Sequence, residues 1–173
     1  TAYLATGITN LAAGGVQVVA MTGNTPHIVF DELSATSPVP LVSSIAVTAD
    51  YVAMQGLKNP LLLGTLFTMR EDFFKKAFRD AGIEAIVPKE GDQLKVHEII
   101  EKELEAGIVT EKAQKYFSDL VEEMIGSHHI DTLILGCTEL PILFEMMNIS
   151  VPVVDVTDVH VEALIKAVKE YGV

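Results

Sequence analysis

The 173-residue chain contains no tryptophan and only one cysteine, Cys137. A single thiol forms no internal disulfide, so folding needs no oxidising compartment, and the expected location is a reducing cytoplasm. Positive charge is also scarce. Twelve Lys and Arg face 24 Asp and Glu, a net charge of −12, and this argues against partners that are read through clustered cations, namely nucleic acid and anionic membrane surfaces. Long apolar runs are absent too: Gly, Pro or polar residues break each one well short of a membrane span, and no signal peptide is expected. Gly64 to Thr68 lacks the Gly-Lys of a phosphate loop, and no glycine triplet marks a dinucleotide fold. The five histidines, His27, His97, His128, His129 and His160, do not fall at zinc-ligand spacing, so no metal is expected.

What is present is apolar and regularly broken. Hydrophobic residues make up 49% of the chain and charged residues 21%, enough to bury the core of one domain or of two small lobes. Helical periodicity covers residues 3–13, and a strand is expected over Val16–Met21. Asn24 or Thr25 is expected to cap a helix that begins at Pro26. Leu41-Val42 leads into a helix through Val52, and Asn59-Pro60 marks a break. The strand Leu61–Leu63 follows, then a helix capped by Thr68 that carries Phe73, Phe74 and Phe78, a strand over Ile83–Val87, and helices starting at Gly91-Asp92 and Thr110. In the stretch Asp131–Pro141 an apolar, buried strand ends at Gly136-Cys137, and a short helix through Ile142, Leu143 and Met146 and a strand that ends at Asp155 follow. A last helix, Asp158–Tyr171, carries an apolar stripe of Val161, Leu164, Ile165 and Val168. Strands alternating with helices predict an α/β chain with parallel sheets and functional groups at the carboxyl ends of strands.

Four such ends carry unusual chemistry: Gly23-Asn24-Thr25, Gly64-Thr65, Gly136-Cys137-Thr138 and Asp155-Val156-Thr157. Cys137 follows an apolar strand and precedes Glu139-Leu140-Pro141, so it sits near a helix start, where the helix dipole favours a thiolate. The residues alone leave two readings of Cys137 open, an activated thiol or a small core residue. His27 and His160 follow polar strand ends and are candidates to line a site.

The segments Gly23-Asn24-Thr25-Pro26-His27 through Leu33 and Leu135-Gly136-Cys137-Thr138-Glu139-Leu140-Pro141 resemble the two signatures of the aspartate/glutamate racemase family, whose members racemise amino acids without pyridoxal phosphate. The Gly64-Thr65 turn with Thr68, and Val153-Val154-Asp155 with Thr157 and His160, resemble further family segments in the same order. The resemblance implies two pseudo-symmetric α/β lobes whose parallel sheets are flanked by helices, with an amino acid held between them. The first lobe would comprise residues 1–55 and 151–173, and the second 56–150. It also implies that no cofactor is used, that the protein is a homodimer, and that complete members extend before position 1 by a strand and a glycine-rich turn.

By the same resemblance Cys137 is the second of two thiols that flank the substrate Cα. Asn24, Thr25 and Thr138 would bind the substrate's carboxylate and ammonium. Thr65 and Thr68 would bind substrate or cap a helix. Glu139 would hold the ammonium, orient a neighbour or start a helix. Two departures stand out. Gly23 occupies the place of the first thiol, and Ala106 stands where acidic-substrate members place a basic residue. Two functions therefore follow: a racemase or epimerase in which Cys137 abstracts the Cα proton, with a preference for one enantiomer, or a catalytically silent amino-acid-binding protein that keeps the cleft. A third, a thiol hydrolase or lyase, would need His27 or His160 as the partner of Cys137.

Overall fold

The computed structural model describes residues 1–170, so Tyr171, the expected end of the last helix, lies outside the described residues. The first part of the chain runs through α1 (Ala2–Ala13), β1 (Val19–Ala20), a 3-10 turn (Thr25–Val29), α2 (Phe30–Thr36), β2 (Leu41–Val42) and α3 (Ser44–Met54). β1 and β2 pair in parallel, with Val19 opposite Leu41. The expected strand Val16–Met21 thus shrinks to two residues, because β2 offers only two partners. A small cluster of Ile8, Val19 and Leu33 packs α1 and α2 on this sheet.

The larger sheet is built from β3 (Pro60–Leu63), β4 (Thr132–Leu135) and β5 (Val153–Asp155), all parallel, in the order β3-β4-β5. Each residue of β3 and β4 is buried, which is what an uninterrupted Leu-Leu-Leu or Thr-Leu-Ile-Leu run requires of a sheet covered on both faces. Alternation then sorts the side chains. Leu61, Leu63, Leu133 and Leu135 point to one layer, formed by α6 (Glu90–Lys102), α7 (Glu111–His128) and α8 (Leu140–Phe144). Leu62, Ile134 and Val154 point to the other, formed by α3 and α5 (Asp72–Asp80). Strand Ile83–Val87 is reduced to a bridge at Ile86, whose N–H and C=O bond Pro60 and Leu62 at 2.8 Å each. Pro88 follows and stops the pairing.

Of the stretch from 151 that the sequence assigns to the first lobe, β5 joins the larger sheet while α9 (Val156–Glu170) packs against α3. The apolar stripe of α9 is not its buried face, since Val161 and Ile165 are 47% and 50% exposed. Val156 and His160, one turn apart, are buried instead.

Helix starts also differ in detail. Thr65, not Thr68, caps α4 (Leu66–Arg70): its backbone is extended and its hydroxyl accepts the Thr68 N–H, whereas Thr68 lies buried inside the helix. Asn24 stands at the N-cap of the turn at Pro26, but its side chain makes no capping bond because it is engaged with Gly136 and Ser44.

Candidate active site

β4 delivers Cys137 to a half-buried position one residue past Gly136. Gly136 is required by space. A Cβ there would meet Leu63 O and Leu62 Cδ1, each at 2.9 Å, and Thr68 Cγ2 at 3.0 Å. Its N–H donates to Leu63 O at 2.8 Å and its C=O accepts from Asn24 Nδ2 at 3.1 Å, so both backbone groups before the thiol are held. Gly64, at the matching end of β3, is equally crowded, with Thr68 Cγ2 2.8 Å from a built Cβ. Buried Thr68 is therefore a spacer between the two strand ends, and Thr65 sits half-buried beside it.

The Cys137 thiol donates to Glu139 Oε2 at 2.8 Å, and Thr138 Oγ1 donates to Glu139 Oε1 at 2.8 Å. Burial first, then the hydrogen bond and charge of Glu139 and the charge of Glu105, push the Cys137 thiol up from its ordinary 9.0 to about 12. For Glu139, burial opposes ionisation, but the bonds from Cys137 and Thr138 outweigh it and hold the carboxyl below its ordinary value. The two directions agree on a neutral thiol beside a carboxylate. The helix start does not supply the thiolate expected of it, because α8 is one turn long and the nearest charge is negative.

Gly23 lies across from this strand end. Its φ is not in the left-handed region and a Cβ would touch only the Pro26 ring, with Cδ at 3.5 Å and Cγ at 4.0 Å, so neither backbone nor space demands glycine there. Thr22 and Thr25 are exposed beside it. An apolar cavity of about 460 Å³ runs from Thr22 and Gly23 along β1 beneath α1. Asn24 spans the gap to Gly136.

The histidines do not meet the thiol. His27 is buried and bonds Gly23 O through Nδ1 at 3.1 Å and Ser44 N through Nε2 at 3.2 Å. His160 is buried and donates Nε2–H to Val42 O at 3.1 Å, tying α9 to the end of β2. Burial lowers the pKa of both, and for His27 the charge of His160 adds to it. Among the described residues the Cys137 thiol hydrogen-bonds Glu139 and no histidine, which leaves the hydrolase reading without its partner. Asp155 caps the start of α9, accepting the Thr157 N–H at 2.7 Å. Ala106 ends a 3-10 turn (Leu104–Ala106) beside α8, and that turn carries Glu105.

Two side chains that tie distant segments together gave little sign in the sequence. Ser44 follows the capping Ser43 and looks like part of the same cap, but it is buried against Asn24 and His27. Asp131 opens β4 and accepts the N–H groups of Lys58 and Asn59, at 2.6 and 3.1 Å, which fixes the start of β3 beside it.

The Asp/Glu/Hydantoin racemase family description matches residues 1–164. A broad specificity amino-acid racemase of Bacillus subtilis (strain 168) is 25% identical over 149 residues, 86% of this chain; the chain spans 63% of that relative's length. The crystal structure of an aspartate racemase homologue from Pyrococcus horikoshii superposes with a TM-score of 0.89 at 34% identity, over 96% of this chain and 73% of that one. An aspartate racemase from Picrophilus torridus gives a TM-score of 0.70 at 27% identity, over 95% and 68%. With its strand-end thiol, paired parallel sheets and a match that runs almost from end to end, the chain belongs to the Asp/Glu/hydantoin racemase family.

Proposed function

We propose that this protein is a cofactor-independent amino-acid racemase or epimerase in which Cys137 exchanges the substrate's Cα proton. The observation that carries the reading is the Cys137 thiol on a backbone held at both Gly136 groups and hydrogen-bonded to Glu139. Racemisation without a cofactor requires a base placed against a weakly acidic C–H and donors that hold the carboxylate. At rest Cys137 keeps its proton, so it is poised to protonate a Cα carbanion on its face. In the opposite direction the thiolate takes the Cα proton: the C–H bond breaks, its electron pair stays on Cα beside the carboxylate, and an S–H bond forms. The substrate ammonium, arriving beside Glu139, opposes the negative charge that keeps the thiol protonated. On the other face Gly23 has no proton to give, and water or Thr22 takes that part, which favours one enantiomer.

Thr25 and Thr138, exposed at the two turns, are the residues we assign to the substrate's polar groups, with Glu139 at the ammonium. Asn24 acts mainly as a bridge between turns, and Thr65 and Thr68 as support. Ala106 stands where the resemblance places a basic residue in acidic-substrate members, and its neighbour Glu105 is acidic, so we assign the substrate an uncharged or cationic side chain in preference to an acidic one. The active form is a homodimer in the cytoplasm.

The test is Cα deuterium incorporation from heavy water, followed by NMR, with separate L- and D-amino acids of acidic, neutral and basic type. Exchange that Cys137→Ser abolishes is the expected result. Stabilisation by an amino acid without exchange would instead indicate a silent binding protein.

A further inference from the structure

We infer that Ser44 is a positioning residue for Cys137, acting through the Asn24 carboxamide with His27 behind it; this rests on the racemase reading of Cys137.

The hydrogen bonds allow one arrangement of protons. The Gly136 carbonyl only accepts, so the group facing it at 3.1 Å is the Asn24 nitrogen, and Asn24 Oδ1 therefore faces Ser44 Oγ at 2.8 Å. That oxygen only accepts, so the Ser44 hydroxyl donates to it. The Ser44 backbone N–H donates to His27 Nε2 at 3.2 Å, which leaves that nitrogen unprotonated. The ring's one proton is on Nδ1, and it goes to Gly23 O at 3.1 Å. Ser44 and His27 are 2% and 5% exposed, so water does not compete for these groups.

The chain of bonds begins on the carbonyl of Gly23 and ends on the carbonyl that precedes Cys137. It therefore sets the turn that faces the reacting carbon and the peptide that carries the thiol relative to each other. Without the Ser44 hydroxyl, Asn24 Oδ1 has no donor, the carboxamide is free to rotate, and the Gly136 carbonyl loses its fixed partner. A merely structural serine would affect stability alone. A positioning serine affects the thiol, and only while Asn24 is present.

A double-mutant cycle of Ser44→Ala and Asn24→Ala separates these cases. Two rates are measured in all four proteins: Cα deuterium exchange, with kcat and KM resolved, and alkylation of Cys137 by iodoacetamide. Ser44→Ala is expected to lower kcat for exchange about three- to tenfold, the scale of one buried hydrogen bond, with KM little changed. It should also change the alkylation rate at least about threefold, and in the Asn24→Ala background neither effect should remain. Losses that simply multiply, or a Ser44→Ala protein whose two rates match the parent's, overturn the proposal. If the parent exchanges no amino acid, the racemase reading falls, and the alkylation cycle still decides whether Ser44 acts on Cys137 through Asn24. Should Asn24→Ala fail to fold, Asn24→Ser, which is too short to reach Gly136, replaces it.

Discussion

The Cys137 thiol points its proton at Glu139, 2.8 Å away, and the same carboxylate takes the hydroxyl of Thr138. The thiol is thus held by a carboxylate two residues along the chain. Glu139→Gln removes the negative charge and the best acceptor for the thiol proton, leaving burial as the main cause of the raised pKa. Alkylation of Cys137 by iodoacetamide at about pH 8 should then be several-fold faster than in the parent protein. In the parent, the rate should climb with pH to at least about pH 10 with no plateau, as a thiol titrating at about 12 requires.

Position 23 accepts a side chain without strain. Gly23→Cys should fold with a melting temperature within a few degrees of the parent, because a Cβ there makes only ordinary contact with Pro26. If the reaction runs with one thiol, the new one should raise exchange at least about tenfold for the enantiomer that the parent handles poorly. Chiral chromatography of product formed from each pure enantiomer is the measurement. An unchanged ratio between enantiomers would count against Gly23 as the source of asymmetry.

Asp131 holds the approach to β3 with both carboxylate oxygens. Asp131→Ala leaves the N–H groups of Lys58 and Asn59 without these acceptors and should cost about 1.5–3 kcal/mol, read as a lower urea midpoint. Exchange activity measured well below the melting temperature should persist, since the strand ends lie at the opposite edge of the sheet.

Buried neutral histidines make stability depend on pH in a defined direction. His27 and His160 have folded pKa values below the ordinary 6.5, so protonation favours the unfolded chain. Their contribution is complete above about 6.5 and is lost as pH falls through 6.5 toward the lower folded values. Urea midpoints should therefore decline over that interval. His160→Gln should flatten the decline, whereas an equally steep decline would mean that other groups carry it.

Sequence periodicity located the elements well and their partners less well. Leu61–Leu63 and Thr132–Leu135 were legible as buried parallel strands because both faces of each are apolar. The Ile83–Val87 strand was overestimated, since apolar content does not reveal that only Ile86 has a neighbour to pair with. The stripe on α9 misled for a related reason: Val161 and Ile165 lie at helical spacing, but α3 packs against the turn that carries Val156 and His160. At the site, Cys137 and Glu139 were legible through their place after Gly136. The thiol's protonation state was not, because it depends on where a carboxylate two residues away folds back. Ser44 was invisible, as its role arises from contacts 17 and 20 residues distant.

Pairing of Leu63 with Leu135, and of Leu135 with Asp155, brings the ends of β3, β4 and β5 to one level. Below that level the side chains are committed to two apolar layers; beyond it, Gly64 and Gly136 each lead into a turn, and Val156 begins α9. Crowding closes Gly64 and Gly136 to side chains, whereas Thr65, Cys137 and Thr138 just after them are partly or fully exposed, so reactivity can change there with less effect on the fold than at the glycines. A lineage can in this way lose, replace or regain a reactive group by single codon changes, and the architecture serves as a substrate for evolutionary change as much as for chemistry.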